Sequence, residues 1–209
     1  TIPCLDCGPA MIASHAFHVV AGFVLTALLV VCGLLFGPPA EPDRIEPVSS
    51  GALAAYVLGA TMIVLAGRHD MAAMTVFGLL VLATLIVAWR APSATAAVAA
   101  SAVLVAVVFL EWAVRANPDM LVLPGGAMPG LAPNATDESV SAHLIAAAIF
   151  ASGFVVAGFA AQGRAVSAQV PVIWAASAVF APLALLIALS ARVAHFDRSI
   201  PFAIIAVAL

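Results

Sequence analysis

The stretch RANPDMLVLPGGAMPGLAPNATDESVSAH, residues 115–143, is the one long interruption in an almost continuously apolar chain. It contains four of the fourteen prolines and the only Gly-Gly pair, and together these exclude a regular helix through its centre. Its middle, residues 120–133, is apolar and lies between two polar ends. We therefore predict that residues 115–140 form a long connection between two spans, ordered and packed at the membrane surface.

The composition on both sides of this break excludes a water-soluble fold. Of the 209 residues, 65% are apolar and only 8% are charged, and the mean hydropathy is +1.21, whereas soluble domains carry roughly 25% charged residues. All seven basic residues are arginines and the net charge is −3, which argues against a nucleic-acid partner. The expected partner is the lipid bilayer, with other membrane-protein subunits as a further candidate. The alanine-rich, lysine-free composition favours a bacterial cytoplasmic (inner) membrane.

The apolar runs have the length of membrane-spanning helices, for which about 20 residues are needed. They lack the two-residue alternation of a transmembrane barrel, and lipid otherwise admits only helices. The predicted fold is therefore all-α, a polytopic transmembrane helix bundle that forms a single domain over residues 1–209. We predict six full spans, at residues 13–36, 51–66, 71–89, 94–114, 140–161 and 170–192, and the start of a seventh at residues 200–209. No strand of any length is predicted.

The ends of these spans carry their own signals. Ser49 or Ser50 is the predicted N-cap of the second span. Trp89, Trp112 and Trp174 all fall close to predicted span ends, which is typical of side chains in an interfacial belt. The last run is only half a span long and the first residue is Thr1, so the chain is expected to be a fragment of a longer one.

The N-terminal region contains the sharpest candidate for a metal site. Cys4 and Cys7 have the Cys-x-x-Cys spacing, and His15 and His18, three residues apart, share one helix face. Four such ligands are a donor set for zinc, and a haem site is a further alternative. The other interpretation is a chain end followed by two interfacial histidines, and on that interpretation no cofactor is expected.

Three further features of the apolar runs are candidates for function or packing. Glu111 and Arg115 are spaced i,i+4 in the favourable acid-first order, either as an ion pair at the membrane boundary or as a polar pair lining a cavity. Pro182 lies within a span, where it removes a backbone hydrogen bond and forms either a packing kink or a hinge. Gly153 and Gly158 are expected to let their helix approach a neighbour closely.

The predicted spans carry no Asp, Glu, Arg or Lys near their centres, where ion-coupled carriers normally place them. No nucleophile elbow, phosphate-binding loop or paired carboxylates occur either. The sequence therefore favours a non-enzymatic integral membrane protein, either an accessory or scaffolding subunit or a transport-type bundle. The alternative is a membrane redox or metal-binding module that uses Cys4, Cys7, His15 and His18.

Three stretches resemble a known family of long bacterial membrane proteins. They are residues 117–126, NPDMLVLPGG; residues 171–176, PVIWAA; and residues 195–203, HFDRSIPFA. These marks are similar to those of the multi-spanning proteins grouped as domain of unknown function 2339. The resemblance implies a membrane protein several times longer than this chain, in keeping with its expected fragment character. It brings no established activity and no catalytic residue to this chain.

Overall fold

The computed structural model describes residues 44–116, 122–123, 126–127, 140–163 and 168–194, together with seven single positions between 21 and 33 that are helical. In this part of the chain five α-helices are long and apolar enough to cross a membrane. They are α1 (Pro47–Ala66), α2 (Met71–Arg90), α3 (Ala96–Arg115), α4 (Val140–Ala161) and α5 (Gln169–Ala194). A short 3-10 helix, Pro92–Ala94, precedes α3.

The all-helical, membrane-type architecture is confirmed, but the predicted number of spans is not supported. Five helices correspond to the predicted runs at 51–66, 71–89, 94–114, 140–161 and 170–192. Most of the run at 13–36, and all of the run at 200–209, lie outside the described residues. Within the described residues the structure therefore supports five spans, and it does not support the count of six and the start of a seventh.

The prediction that no strand of any length occurs is wrong. Val122–Leu123 (β1) and Gly126–Ala127 (β2) pair antiparallel, with Val122 opposite Ala127 and Leu123 opposite Gly126. The physical reason is that Pro124 and Gly125, between the strands, are residues that favour a tight reversal of the chain. Such a short hairpin leaves the predicted membrane spans unchanged. The other residues of 120–133 lie outside the described residues, so the packing predicted for this segment stays a prediction.

The start of α1 corrects the predicted N-cap. The helix begins at Pro47, four residues before the predicted start, and the Glu46 side chain caps it by accepting a hydrogen bond from the Ser49 backbone N–H. A proline is favourable in the first helical turn because its missing N–H would have no partner there. Ser50 instead lies inside the helix, where its hydroxyl donates to the carbonyl oxygen of Ser93 at 3.1 Å.

The chain divides into two compact units, residues 1–97 and 98–209. In the first, α1 and α2 form a hairpin through a sharp turn. The His69 N–H donates to the Val64 carbonyl, and Arg68 and His69 adopt left-handed φ angles of 52° and 62°. Asp70 then caps α2 by accepting from the Ala72 N–H at 3.1 Å. The connection between α1 and α2 is therefore a tight turn of four residues, Gly67 to Asp70.

In the second unit, α4 and α5 pack against each other along their length. At Gly158 the two helices approach closely, because a Cβ atom added there would lie 2.5 Å from the Cβ of Ala178 and 3.2 Å from the Trp174 carbonyl oxygen. At Gly153 an added Cβ would meet nothing within 4 Å. The predicted close approach is therefore confirmed at Gly158, whereas at Gly153 no neighbouring atom of the described residues is near enough to contact an added Cβ.

Two of the three tryptophans do not face the lipid interface. Trp112 on α3 and Trp174 on α5 are each only 2% exposed, so their rings are packed inside the second unit. Position near a span end does not distinguish a lipid-facing ring from a protein-facing one, since both lie at the same depth. The predicted belt is therefore wrong for Trp112 and Trp174, while Trp89 is partly exposed.

Candidate functional site

One end of the second unit brings together residues from three helices. The last turns of α3, the first turns of α4 and the last turn of α5 meet there: the His143 ring stacks on Trp112, and Arg192 bonds to the backbone at Ala116. We call this region the polar end. Its described ionisable residues are Glu111, Arg115, His143 and Arg192, and these are all the Asp, Glu, Arg and His residues described in that unit.

An aromatic cluster forms the inner wall of the polar end. His143 is 0% exposed, and its ring stacks on Trp112 with centroids 4.4 Å apart and an interplanar angle of 23°. Phe109 meets His143 edge-on at 5.2 Å and Phe150 edge-on at 5.5 Å. Both distances lie in the range in which aromatic pairs stabilise a core beyond their buried area.

Helical spacing explains why these rings meet. Phe109 and Trp112 are three residues apart on α3, and His143 and Phe150 are seven apart on α4. Each pair therefore lies on one face of its helix. Where the two helices meet, the imidazole of His143 contacts the rings of Phe109 and Trp112, and Phe150 contacts Phe109. The cluster fixes the start of α4 against the end of α3.

The predicted Glu111–Arg115 pair is present at the end of α3. The Arg115 guanidinium Nε donates to the Glu111 carboxylate, and the two side chains are 20% exposed at Glu111 and 16% exposed at Arg115. Arg115 therefore turns back along its own helix toward Glu111. Whether the pair acts only as a boundary ion pair or lines a polar cavity stays a prediction.

Arg192 links the last turn of α5 to the end of α3. Its Nη1 donates to the carbonyl oxygen of Ala116 at 3.2 Å, across 76 residues of sequence. The last carbonyl groups of a helix have no partner within the helix and carry partial negative charge. A guanidinium at this point therefore satisfies a terminal carbonyl of α3 and fixes α5 against it. The described part of the polar end therefore contains two arginines, Arg115 and Arg192, and one carboxylate, Glu111.

The proposed metal ligands Cys4, Cys7, His15 and His18 lie outside the described residues. The zinc or haem hypothesis therefore stays a prediction. Among the residues that the structure does describe, no group of three or more His, Cys, Asp or Glu side chains is placed to hold a metal ion. Cys32 is exposed. Pro182 is buried within α5, which continues past it to Ala194, and its role as a hinge also stays a prediction.

His143, Trp112, Phe109 and Arg192 were not singled out as site residues by the sequence. For two of them, the position in a span is an indication that the sequence already contains. His143 is a histidine in the first turn of an apolar span, and Arg192 is the last basic residue of another. Neither signal names a partner, because the partners are distant in sequence and are brought close only by the packing of helices.

No family model matches the chain, and neither the curated proteins nor the solved structures include a match. The expected membership in the domain of unknown function 2339 family therefore stays a prediction that rests on the three quoted stretches. The geometry of the polar end, and the distribution of apolar and polar side chains around it, are the remaining basis for a functional proposal.

Proposed function

We propose that the chain is a non-enzymatic integral membrane protein, an accessory or scaffolding helix bundle embedded in lipid. The observation that carries this proposal is the direction of its side chains. Large apolar residues on the membrane-length helices point outward, among them Phe159, Ile149, Val156, Met62 and Leu79, with Phe159 77% exposed. Exposed to water, such faces would be strongly unfavourable, whereas lipid accommodates them.

The polar side chains within the helices support the same proposal. The Thr61 hydroxyl donates to the Val57 carbonyl, Thr84 to Leu80 and Ser177 to Ile173, each four residues back in its own helix. Such bonds satisfy a hydroxyl without a partner on another helix or in water. These three groups therefore serve the helix that carries them rather than a polar path through the bundle.

An accessory bundle and a transport-type bundle are distinguished by ion flux. In the described helices, Arg90, Arg115 and Arg192 lie in last turns and Glu111 lies four residues before the end of α3, whereas ion-coupled carriers use charged groups near the membrane midplane. We therefore expect proteoliposomes containing the purified full chain to dissipate a proton or sodium gradient no faster than protein-free liposomes. An ionophore added at the end confirms that the vesicles are sealed. Flux that rises with the amount of protein would contradict the accessory role.

The second candidate is a membrane redox or metal-binding module, favoured by the Cys-x-x-Cys and His-x-x-His spacing. The same preparation tests it through its metal content and visible absorbance spectrum. We expect neither stoichiometric zinc nor a haem spectrum. If metal is found, its loss in a Cys4→Ser, Cys7→Ser double variant but not in Cys32→Ser would establish the module, since Cys32 lies outside the ligand set.

Finer features remain part of the proposal. The run at residues 13–36 would form a sixth span, and the run at residues 200–209 would be the start of a seventh. We further propose that the chain belongs to the domain of unknown function 2339 family. Its place would be a bacterial inner membrane, in contact with other membrane-protein subunits. The apolar runs and the three quoted stretches support them. An accessory role is compatible with all of these features, because a scaffolding subunit needs lipid-facing helices and a partner subunit but no catalytic residues.

A further inference from the structure

We propose that the second half of α5, residues 183–194, is a movable arm that bends at Pro182 and is held closed by Arg192. Residues 169–181 form the part of the same helix that stays fixed on α4. The proposal does not depend on whether the bundle is an accessory protein or a transporter, because it concerns how one helix is attached to its two neighbours. It needs a flexible point, a fixed part before that point and a releasable contact after it.

The flexible point is the turn that leads into Pro182, which is buried within α5. A proline has no backbone N–H, so the carbonyl of Ala178, four residues earlier, cannot receive its usual hydrogen bond from position 182. Five residues before the proline, the Ser177 hydroxyl donates to the Ile173 carbonyl at 2.7 Å, and bonds of this kind often bend helices. The resistance of α5 to bending is therefore lowered between these two features.

The part of α5 before the bend is fixed on α4 at Gly158. A Cβ atom added to Gly158 would lie 2.5 Å from the Cβ of Ala178 and 3.2 Å from the Trp174 carbonyl oxygen, so the two helices are in close contact there. Trp174 and Val170, nearer the start of α5, are both buried. Because Ala178 is also the residue whose carbonyl bond is lost to Pro182, the contact with α4 lies directly before the flexible point.

The inner face of the arm consists mainly of small side chains. Ala184, Ala188 and Ala191 recur at intervals of four and three residues and are all buried, and Leu185 is the one large apolar side chain that is buried in the described arm. The hydrophobic effect scales with buried apolar area, so a methyl group contributes less than a larger side chain. Apolar contact therefore holds the arm less firmly than a face of leucines would.

The releasable contact joins the end of the arm to the end of α3. Arg192 lies in the last turn of α5, is partly exposed, and donates from Nη1 to the Ala116 carbonyl oxygen at 3.2 Å. Because this bond lies at the ends of two membrane-length helices, water can compete for both of its partners. Release of this end would let the arm turn about Pro182 and uncover its inner face, while residues 169–181 stay on α4.

The distance between spin labels on α4 and α5 tests the proposal. The arm pair is Leu144→Cys with Val193→Cys at the polar end, and the reference pair is Phe159→Cys with Val172→Cys at the other end of the same two helices. All four native side chains are exposed. The labels are placed in the full chain with its three native cysteines changed to serine, reconstituted into lipid nanodiscs.

The expected movement follows from the length of the arm. From Pro182 to Val193 the arm is about 16 Å long, so a change in bend of about 20° moves its end by about 6 Å. The movement is outward, because a close-packed bundle leaves no room on the inner side. The distance of the arm pair therefore lengthens when the arm opens.

Arg192→Gln removes every interaction of the guanidinium, so the result does not depend on which of them holds the arm. We expect this variant to lengthen the arm-pair distance by about 6 Å and to leave the reference pair unchanged. Adding Pro182→Ala restores the missing N–H and is expected to abolish most of the lengthening. An unchanged arm pair in Arg192→Gln, equal lengthening of both pairs, or full lengthening in the double variant would overturn the proposal.

The chain with native Arg192 carries the test where Arg192→Gln fails to fold. We expect the arm pair to have a broader distribution of distances than the reference pair, because the arm opens part of the time. Pro182→Ala alone is expected to narrow that distribution. Equal widths for the two pairs, or a width that Pro182→Ala leaves unchanged, would show that α5 is one rigid helix and overturn the proposal.

Discussion

Truncation of His143 to alanine is expected to destabilise the second unit by about 2–5 kcal/mol, the range for emptying a fully buried site of a large side chain. The imidazole is 0% exposed and fills the space between Trp112 and Phe109. Its removal therefore leaves a cavity and ends the stack on Trp112, which adds about 0.5–1.5 kcal/mol beyond buried area for an aromatic pair. The measurement is the midpoint of unfolding by sodium dodecyl sulfate in mixed micelles, with tryptophan fluorescence as the signal.

Two comparison variants give this result its meaning. Leu144→Ala truncates the adjacent residue, whose side chain is exposed, and is expected to change stability by less than about 0.5 kcal/mol. His143→Phe retains a ring of similar size and is expected to recover most of the stability lost in His143→Ala. If His143→Ala and Leu144→Ala were equally stable, the aromatic cluster would not hold α3 to α4.

Replacement of Gly158 by valine is expected to force α4 away from α5 and to lower stability by about 1–3 kcal/mol, the usual penalty for inserting volume into a packed contact. Even the first added carbon would lie 2.5 Å from the Cβ of Ala178. Because a Cβ atom has no rotatable bond of its own, the strain can be relieved only by movement of one helix. Gly158→Ala is expected to show a smaller loss in the same direction.

Gly153 provides the matched control on the same helix. It lies five residues earlier on α4, and an added Cβ would meet nothing within 4 Å, so Gly153→Val is expected to leave the unfolding midpoint almost unchanged. The two valine variants have the same composition and differ only in position. Equal midpoints for both would contradict the close approach of α4 to α5 at Gly158.

The sequence predicted the helices best where hydropathy alone defines them. The run at 140–161 became α4 with the same bounds, and the start of α2 was predicted at Met71. The start of α1 was missed because a proline and a glutamate, Pro47 and Glu46, open the helix before its apolar run begins. The hairpin of Val122 with Ala127 was missed because a two-residue pairing leaves no periodic pattern.

The site could be predicted only as far as local spacing reaches. The Glu111–Arg115 pair follows from an i,i+4 interval and was foreseen. The contacts of His143 with Trp112, and of Arg192 with Ala116, depend on which helices pack together and in what rotation. Hydropathy does not report rotation, because a span that is apolar on all sides has no marked face. For the same reason Gly153 and Gly158 looked equivalent in sequence.

We expect these helices to cross a lipid bilayer, with α4 running from one side to the other. Val140–Ala161 contains 22 residues, so α4 is about 33 Å long, enough to span a hydrocarbon core of about 30 Å. Ala116 follows the end of α3, at the polar end where α4 begins, and Gln162 follows the end of α4. The two positions should therefore lie on opposite sides of the membrane.

Labelling from one side of sealed vesicles tests this most directly. In a chain with Cys4, Cys7 and Cys32 changed to serine, a single cysteine is introduced by Ala116→Cys or by Gln162→Cys, and a membrane-impermeant maleimide is added outside. We expect one of the two positions to be labelled in intact vesicles and the other only after permeabilisation. Labelling of both positions from the same side of intact vesicles would contradict it.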